Sequence, residues 1–238
     1  MVGFPAESWR AGKLNSVLKK LKSESIPRVA QFFSVHPDNP QLRLIRQAAA
    51  IVKEGGVIAY PTDSCYALGG QLGNKDIMTR MRAIRQLDEQ HHFTLMCRDL
   101  TELSHYAKFD NFQYRLLKAT TPGCYTFIFQ ATREVPRRLQ HPKRNTIGIR
   151  IANHPVVEAL LAELGEPLLS STLILPGNEL PLNDPSEIRE RLEHQVDLVL
   201  DAGACGVEMS TVIDLTGDTP GLVRQGKGSL APFGFSHG

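Results

Sequence analysis

Residues 146–152 read Thr146-Ile147-Gly148-Ile149-Arg150-Ile151-Ala152. In an extended chain Ile147, Ile149 and Ile151 face one way, and Gly148 and Arg150 face the other. The apolar triplet marks a strand with one buried face, and Arg150 projects from the opposite face. Just downstream, Val156, Val157, Leu160, Leu161 and Leu164 keep the helical period until Gly165 stops them. Leu168–Leu175 then reads as a buried strand. Strand, helix and strand in succession set the expected class as α/β.

The same alternation extends in both directions from Gln31 onward. Asp38-Asn39-Pro40 reads as a helix start, followed by Leu44, Ile45, Ala48, Ile51 and Val52, with Gly55-Gly56 as the stop. Val57–Tyr60 is a short strand broken by Pro61-Thr62-Asp63. Ile77, Met78, Met81 and Ile84 form a helical stripe, and Phe93–Cys97 and Tyr125–Phe129 read as strands. Leu103–Ala107 and Phe112–Leu117 look helical. Asp184-Pro185-Ser186-Glu187 resembles a capping box before a helix running through His194. Val196–Leu200, Thr211–Leu215 and Leu222–Arg224 are late strands without helices between all of them, which predicts a mixed sheet. No domain boundary is visible after residue 30, so one domain over residues 31–234 is expected.

Composition narrows the classes. Of 238 residues, 42% are hydrophobic, enough for a full core, and 22% are charged. No apolar run approaches a membrane span, and the N-terminus lacks the apolar stretch of a secretory signal. Cys65, Cys97, Cys124 and Cys205 lie far apart, against a zinc ribbon or a disulfide scaffold, so a reducing cytoplasm is the expectation. The net charge of +2 is unevenly placed. Residues 1–30 hold six Lys/Arg against two acids, a net of +4, which leaves −2 for the rest. That segment, in which Leu14, Val17, Leu18 and Leu21 allow a short amphipathic helix over Gly12–Lys22, reads as a disordered basic extension, with a targeting or nucleic-acid arm as the alternative.

No phosphate loop, H-E-x-x-H, G-x-S-x-G or kinase motif is present. A site must therefore be assembled from polar residues at strand ends. Thr62, Asp63 and Ser64 follow the break at Pro61; they can bind a ligand or merely close a turn. Arg80, Arg82 and Arg85, with His91 and His92 after them, suit a phosphate or form a solvated helix face. No metal site is expected, because adjacent histidines in an extended segment point apart. The densest basic stretch, Arg133–Arg150, holds Arg133, Arg137, Arg138, Lys143, Arg144 and Arg150 against Glu134. It can meet a nucleic-acid backbone or stay a solvated loop. Ser170, Ser171 and Thr172 interrupt an apolar strand, and buried hydroxyls need partners. Ser210-Thr211 and Arg224-Gln225-Gly226 are similar polar inserts, and their recurrence at strand ends favours one shared pocket.

Taken together these segments resemble the YrdC-like superfamily. Residues Tyr60 to Gly69 are similar to its Y-P-T-[DE]-[ST]-x-Y-x-L-G opening, and Thr121 to Thr126 to its P-G-x-x-T element. Ile147 to Ile151 with His154-Pro155 resembles its R-[VI]-P-x-H-P strand, with Ala152 in place of the first proline. Thr211 to Asp214 and Arg224 to Gly226 are similar to its closing elements, and His91 to Leu100 resembles the YciO subgroup. The resemblance implies a twisted open mixed sheet with flanking helices and a concave basic face. Members use ATP, L-threonine and bicarbonate to make threonylcarbamoyl-AMP for transfer RNA modification, with magnesium expected on the nucleotide. By position, Thr62 and Arg150 would hold threonine. Arg85, His91, His92, Thr126, Ser171, Thr172, Ser210, Thr211 and Arg224 would lie along the nucleotide.

Double-stranded RNA binding through Arg133, Arg137, Arg138, Lys143 and Arg144, without catalysis, is the alternative that the resemblance leaves open. Two motif positions depart from the active synthases. The K-x-R pair aligns with Arg85-Gln86-Leu87, and the S-x-N triplet with Thr172-Leu173-Ile174. Two lost hydrogen bonds to charged groups would cost on the order of 3–6 kcal/mol if uncompensated. The resemblance therefore implies, at most, slow synthesis or breakdown of the adenylate.

Overall fold

The computed structural model describes residues 29–88 and 92–235. Residues 1–28, His91 and the expected Gly12–Lys22 helix lie outside them. The described strands are β1 (Gln31–Ser34), β2 (Ile58–Tyr60), β3 (Ala67–Gln71), β4 (Thr94–Met96), β5 (Ala107–Lys108) and β6 (Tyr125–Ala131). They continue with β7 (Thr146–Arg150), β8 (Leu168–Thr172), β9 (Leu198–Asp201), β10 (Thr211–Asp214) and β11 (Gly221–Arg224). All belong to one mixed sheet in the order β1-β9-β2-β3-β8-β4-β7-β6-β10-β11, with β5 paired to β6. The helices are α1 (Leu42–Lys53), α2 (Lys75–Arg85), α3 (Leu100–Tyr106), α4 (Asn111–Thr120), α5 (Pro155–Leu164) and α6 (Pro185–Leu192). No helix among the described residues is long and apolar enough to cross a membrane.

The period-two pattern of β7 organises the centre. Its Ile149 pairs with Leu95 on β4 and with Phe127 on β6; Phe127 pairs with Ile213 and Leu95 with Leu169. This row of five apolar side chains is fully buried. On the other face, two residues of strand rise change the chemistry. Leu168 and Met96 pack with α1 and α5 in one apolar cluster. Two residues away on the same strands, Ser170 and Thr94 stand opposite each other, and Thr94 pairs with Gly148. The helices thus cover part of this face and leave the rest as a polar, concave floor.

Several local readings change in detail. The first helix starts at Leu42, and Gln41 makes no side-chain cap. His36 Nδ1 instead accepts from the backbone N–H groups of Asp38 and Asn39, which holds the Asp38-Asn39-Pro40 stretch as a turn ahead of the helix. The capping box before α6 is half made. Asp184 accepts from Ser186 and Glu187, whereas the Glu187 carboxylate takes Arg191 one turn on. Strand β3 had no sequence signal, because Gly69-Gly70 breaks the apolar pattern. Its glycines serve packing. A Cβ on Gly70 would sit 2.3 Å from Ile77 Cγ2 on α2.

Gly70→Ala is therefore expected to push α2 off the sheet and to lower stability by about 1–3 kcal/mol in urea unfolding. An unchanged midpoint would show that α2 is not seated on this strand.

Candidate functional site

The turn after β2 sits beside β7. Thr62 Oγ1 donates to the Cys65 carbonyl at 2.6 Å and accepts from the N–H groups of Ser64 and Cys65. Its hydroxyl closes the turn and is not on the pocket wall. The turn then aims Asp63 and Ser64 at Arg150. Arg150 Nη2 pairs with Asp63 Oδ1 and donates to Ser64 Oγ at 2.9 Å. Both side chains of the ion pair are at most 9% exposed. Asp63 Oδ2 accepts from the Asn153 N–H at 2.9 Å, and the Asp63 carbonyl accepts from Lys227 Nζ and Cys124 Sγ. Arg150 Nε–H is buried and has no acceptor among the described residues.

Arg150 lines a cavity of about 440 Å³ on the uncovered sheet face. Thr94, Thr126, Ile128, Gly148 and Ser170 belong to the strands beneath it. Gly148 leaves room: a Cβ there would have no atom nearer than 3.4 Å, the Thr94 hydroxyl. Strand ends tie the floor together. Tyr60 OH meets Ser170 Oγ at 2.6 Å, and Thr126 Oγ1 meets Ser210 Oγ at 2.8 Å. Burial pushes the Tyr60 phenol up to about 12, so it stays protonated.

Arg85, Arg150 and Arg224 supply charge from three sides, with His92, His141 and Arg144 also on the wall. Among the described residues no carboxylate lines the cavity. Arg85 hydrogen-bonds Ser171 Oγ and, at 3.3 Å, the Ile174 carbonyl. Burial lowers it to about 10, still well above neutral, so it keeps its charge. Arg224 holds the Ser210 carbonyl through Nη2 at 2.9 Å, and burial lowers it too. The rings of His92 and His141 are 4.6 Å apart. Burial first, then His141, lowers His92 and favours its neutral form at neutral pH. His141 Nδ1 accepts from the backbone of Lys143 and Arg144, which leaves Nε2 to carry its proton outward.

The structure gathers most of the expected residues. Arg85, His92, Thr126, Arg150, Ser171, Thr172, Ser210 and Arg224 share this cavity. Thr211 does not line it; its hydroxyl donates to the Gly228 carbonyl at 2.7 Å and accepts from Gly226 N–H. Arg80 is corrected as part of the anion cluster. It turns to Asp197 at 2.8 Å and to the Gln195 carbonyl. Of the basic stretch, Arg144 reaches the cavity, and Arg133 and Arg137 line a neighbouring cleft. Arg138 is bound to the Gly73 carbonyl, and Lys143 is exposed.

Sequence reasoning missed Thr94, Gly148 and His141. Gly148 shares the Arg150 side of β7, so the alternation itself carried that signal; nothing in the sequence singled out His141. Leu87, at the departing motif position, has a backbone role. Its N–H donates to the Arg82 carbonyl at 3.0 Å and that of Gln86 (φ 50°) to Ala83, closing the end of α2. Neither Leu87 nor Ile174 lines the cavity.

The fold and site define an α/β protein with an arginine-lined pocket on an open sheet face, whose described wall carries no carboxylate. A family model, Sua5_yciO_yrdC, described as "Telomere recombination", matches residues 50–226. The chain belongs to this Sua5/YciO/YrdC family. It is 57% identical over 205 residues to YciO of Escherichia coli K12, covering 86% of this chain and all of that one. The crystal structure of E. coli YciO superposes with a TM-score of 0.83, covering 86% of this chain and 99% of that chain. The threonylcarbamoyl-AMP synthase of Halorhodospira halophila is 29% identical over 170 residues, 71% of this chain and 88% of that one. The P. abyssi Sua5 structure complexed with L-threonine shares the fold, with a TM-score of 0.75 at 23% identity, over 82% of this chain and 57% of that chain.

The buried Arg150–Asp63 pair gives a clear stability test. Arg150→Met strands a buried carboxylate and is expected to cost about 3–5 kcal/mol. Asp63→Asn with Arg150→Met should cost less than the two single changes summed, by roughly 1 kcal/mol or more in urea unfolding. Strict additivity would show that the two groups are not coupled.

Proposed function

We propose that this chain binds an adenosine nucleotide and threonine in the concave-face pocket and makes or breaks threonylcarbamoyl-AMP there. The carrying observation is Arg150. Its Nη2 is fixed by Asp63 and Ser64, and its buried Nε–H has no acceptor among the described residues. A carboxylate or carbamate on that edge would supply the missing acceptor. The acid-free wall, with Arg85 and Arg224, suits phosphate charge on the same ligand. The 29% identity to a threonylcarbamoyl-AMP synthase supports the choice of adenylate, and the threonine carried by the P. abyssi Sua5 fold supports the amino acid.

In the forward direction a carbamate oxygen on threonine attacks the α-phosphorus of ATP. The new P–O bond forms as pyrophosphate leaves with the electron pair of the broken bond. In reverse use, water attacks the mixed anhydride and releases AMP and the carbamate. The residues here act by position and charge. Arg150 orients the carboxylate or carbamate. Arg85 and Arg224 offset charge that grows on phosphate oxygens. Cys65, the thiol on the wall, is pushed up by burial and stays protonated, which disfavours a covalent route. Among the described residues no group of three His, Cys, Asp or Glu side chains could hold a metal ion. No described carboxylate lines the pocket, so a magnesium ion would arrive on the nucleotide phosphates, and the charge the described wall offers phosphate is guanidinium charge.

Gly148→Val is the informative variant, because a Cβ fits there and two further methyl carbons would occupy the cavity floor. Incubation with ATP, threonine, bicarbonate and magnesium should give threonine-dependent AMP and pyrophosphate, or added threonylcarbamoyl-AMP should be hydrolysed. Gly148→Val should lower that rate by about tenfold or more with its thermal midpoint kept. No turnover in either direction, or turnover indifferent to Gly148→Val, sinks the reading.

A further inference from the structure

Beside the main cavity lies a second cleft of about 780 Å³. Strands β5 and β6 and the loop over residues 132–145 form it. Among the described residues its charged lining residues are Lys108, Arg133 and Arg137, and no carboxylate lines it. All three are exposed, and none forms an ion pair among the described residues. His141 lines this cleft and the main cavity, so the two meet at one imidazole. An acid-free concavity with three cations concentrates positive potential and attracts a multiply charged anion.

The walls are held in place by the fold. Lys108 pairs with Gln130 in the β5–β6 ladder, and Ala131 N–H donates to the Asn145 carbonyl at 2.9 Å. Thr132 N–H donates to Tyr106, and Gln140 Nε2 donates to the Val135 carbonyl at 2.7 Å. His141 N–H donates to Thr146, and Val135 and Leu139 anchor the loop in the core. The cations therefore stand on a backbone that does not need to be ordered by a ligand, which reduces the cost of binding. Guanidinium forks match phosphate oxygens, and a chain of phosphates spans more than one cation.

We propose that this cleft is a second phosphate subsite, for the phosphate chain of a pyrophosphate-type anion. The anion is either free or the tail of a nucleotide whose other end lies in the main cavity. The site goes beyond the adenylate reading, because it uses Lys108, Arg133 and Arg137 and none of the residues placed on threonine or AMP.

Isothermal titration at low ionic strength, with sodium pyrophosphate, AMP and ATP as separate ligands, tests it. The proteins compared are the natural chain and Arg133→Ser/Arg137→Ser. Pyrophosphate affinity is expected to fall by about tenfold or more in the double variant, with AMP affinity and thermal midpoint unchanged. ATP weakened by the same factor identifies the nucleotide-borne chain; ATP unchanged identifies the free anion. Arg137→Gln alone should move pyrophosphate in the same direction by a smaller factor, and it serves if the double variant is unstable. The proposal is overturned if pyrophosphate does not bind the natural protein or binds both proteins equally. It is also overturned if the double variant loses a duplex RNA while pyrophosphate affinity stays the same. Failure of AMP to bind either protein counts against the adenylate pocket and leaves the pyrophosphate comparison decisive for this cleft.

Discussion

The site depends on one buried ion pair. Asp63 sits in the turn after β2, and Arg150 ends β7, strands separated in the sheet by β3, β8 and β4. Two charges taken out of water repay their desolvation only when the geometry is fixed and the remaining lone pairs are used. Here the second carboxylate oxygen takes Asn153 N–H, and Ser64 takes a share of the guanidinium. The Asp63 carbonyl is held by Lys227 and Cys124. Four segments of chain thus meet on one aspartate. The guanidinium is fixed through Nη2, and its buried Nε–H has no acceptor among the described residues. A site built this way is oriented before anything binds.

The second constraint is how far the helices reach across the sheet. Leu168 is covered by the α1–α5 layer, Met96 packs in that layer and borders the cavity, and Ser170, Thr94 and Gly148 belong to the open floor. The change from apolar to polar side chains on one strand face marks where cover ends and the cavity begins. Buried hydroxyls are costly without partners. Here two pairs meet across the floor, Tyr60 with Ser170 and Thr126 with Ser210. The polar floor therefore adds cross-links between strands while keeping the cavity open.

Much of this was legible in the sequence because it rests on short-range pattern. The alternation in Thr146–Ala152 gave the two faces of β7, and the polar inserts at strand ends gave most of the pocket wall. Strand β3 was hidden because Gly69 and Gly70 are small so that Tyr60, Leu168 and Ile77 can approach, a packing demand that no residue pattern along the strand itself displays. For Arg80 the structure decides between the two readings left open, an anion site and a solvated helix face. Spacing puts it near Arg82 and Arg85, but Asp197, far along the chain, draws it away. Thr62 and Thr211 show the limit of motif transfer. A hydroxyl at a recognisable position closes a turn in one case and holds the Gly226–Gly228 segment in the other, and only the folded geometry shows these partners.

The departures at Leu87 and Ile174 look costly when read as lost contacts to charge. The structure changes what is being compared. Leu87 contributes its backbone N–H to the end of α2, which any residue other than proline can do, and its side chain stays off the cavity wall. Ile174 likewise contributes its carbonyl, which accepts from Arg85 Nε. That contact, with the bond to Ser171, draws the remaining cation of the motif onto the end of β8. Arg144, His92 and His141 then approach the same cavity from the loop side. Positive charge on the described wall thus comes from the end of β8 through Arg85 and from the loop over residues 132–145 through Arg144, the loop that also forms the second cleft. Binding and rate make different demands on such a wall: binding follows the total charge on it, whereas rate depends on where that charge stands relative to the bond being broken.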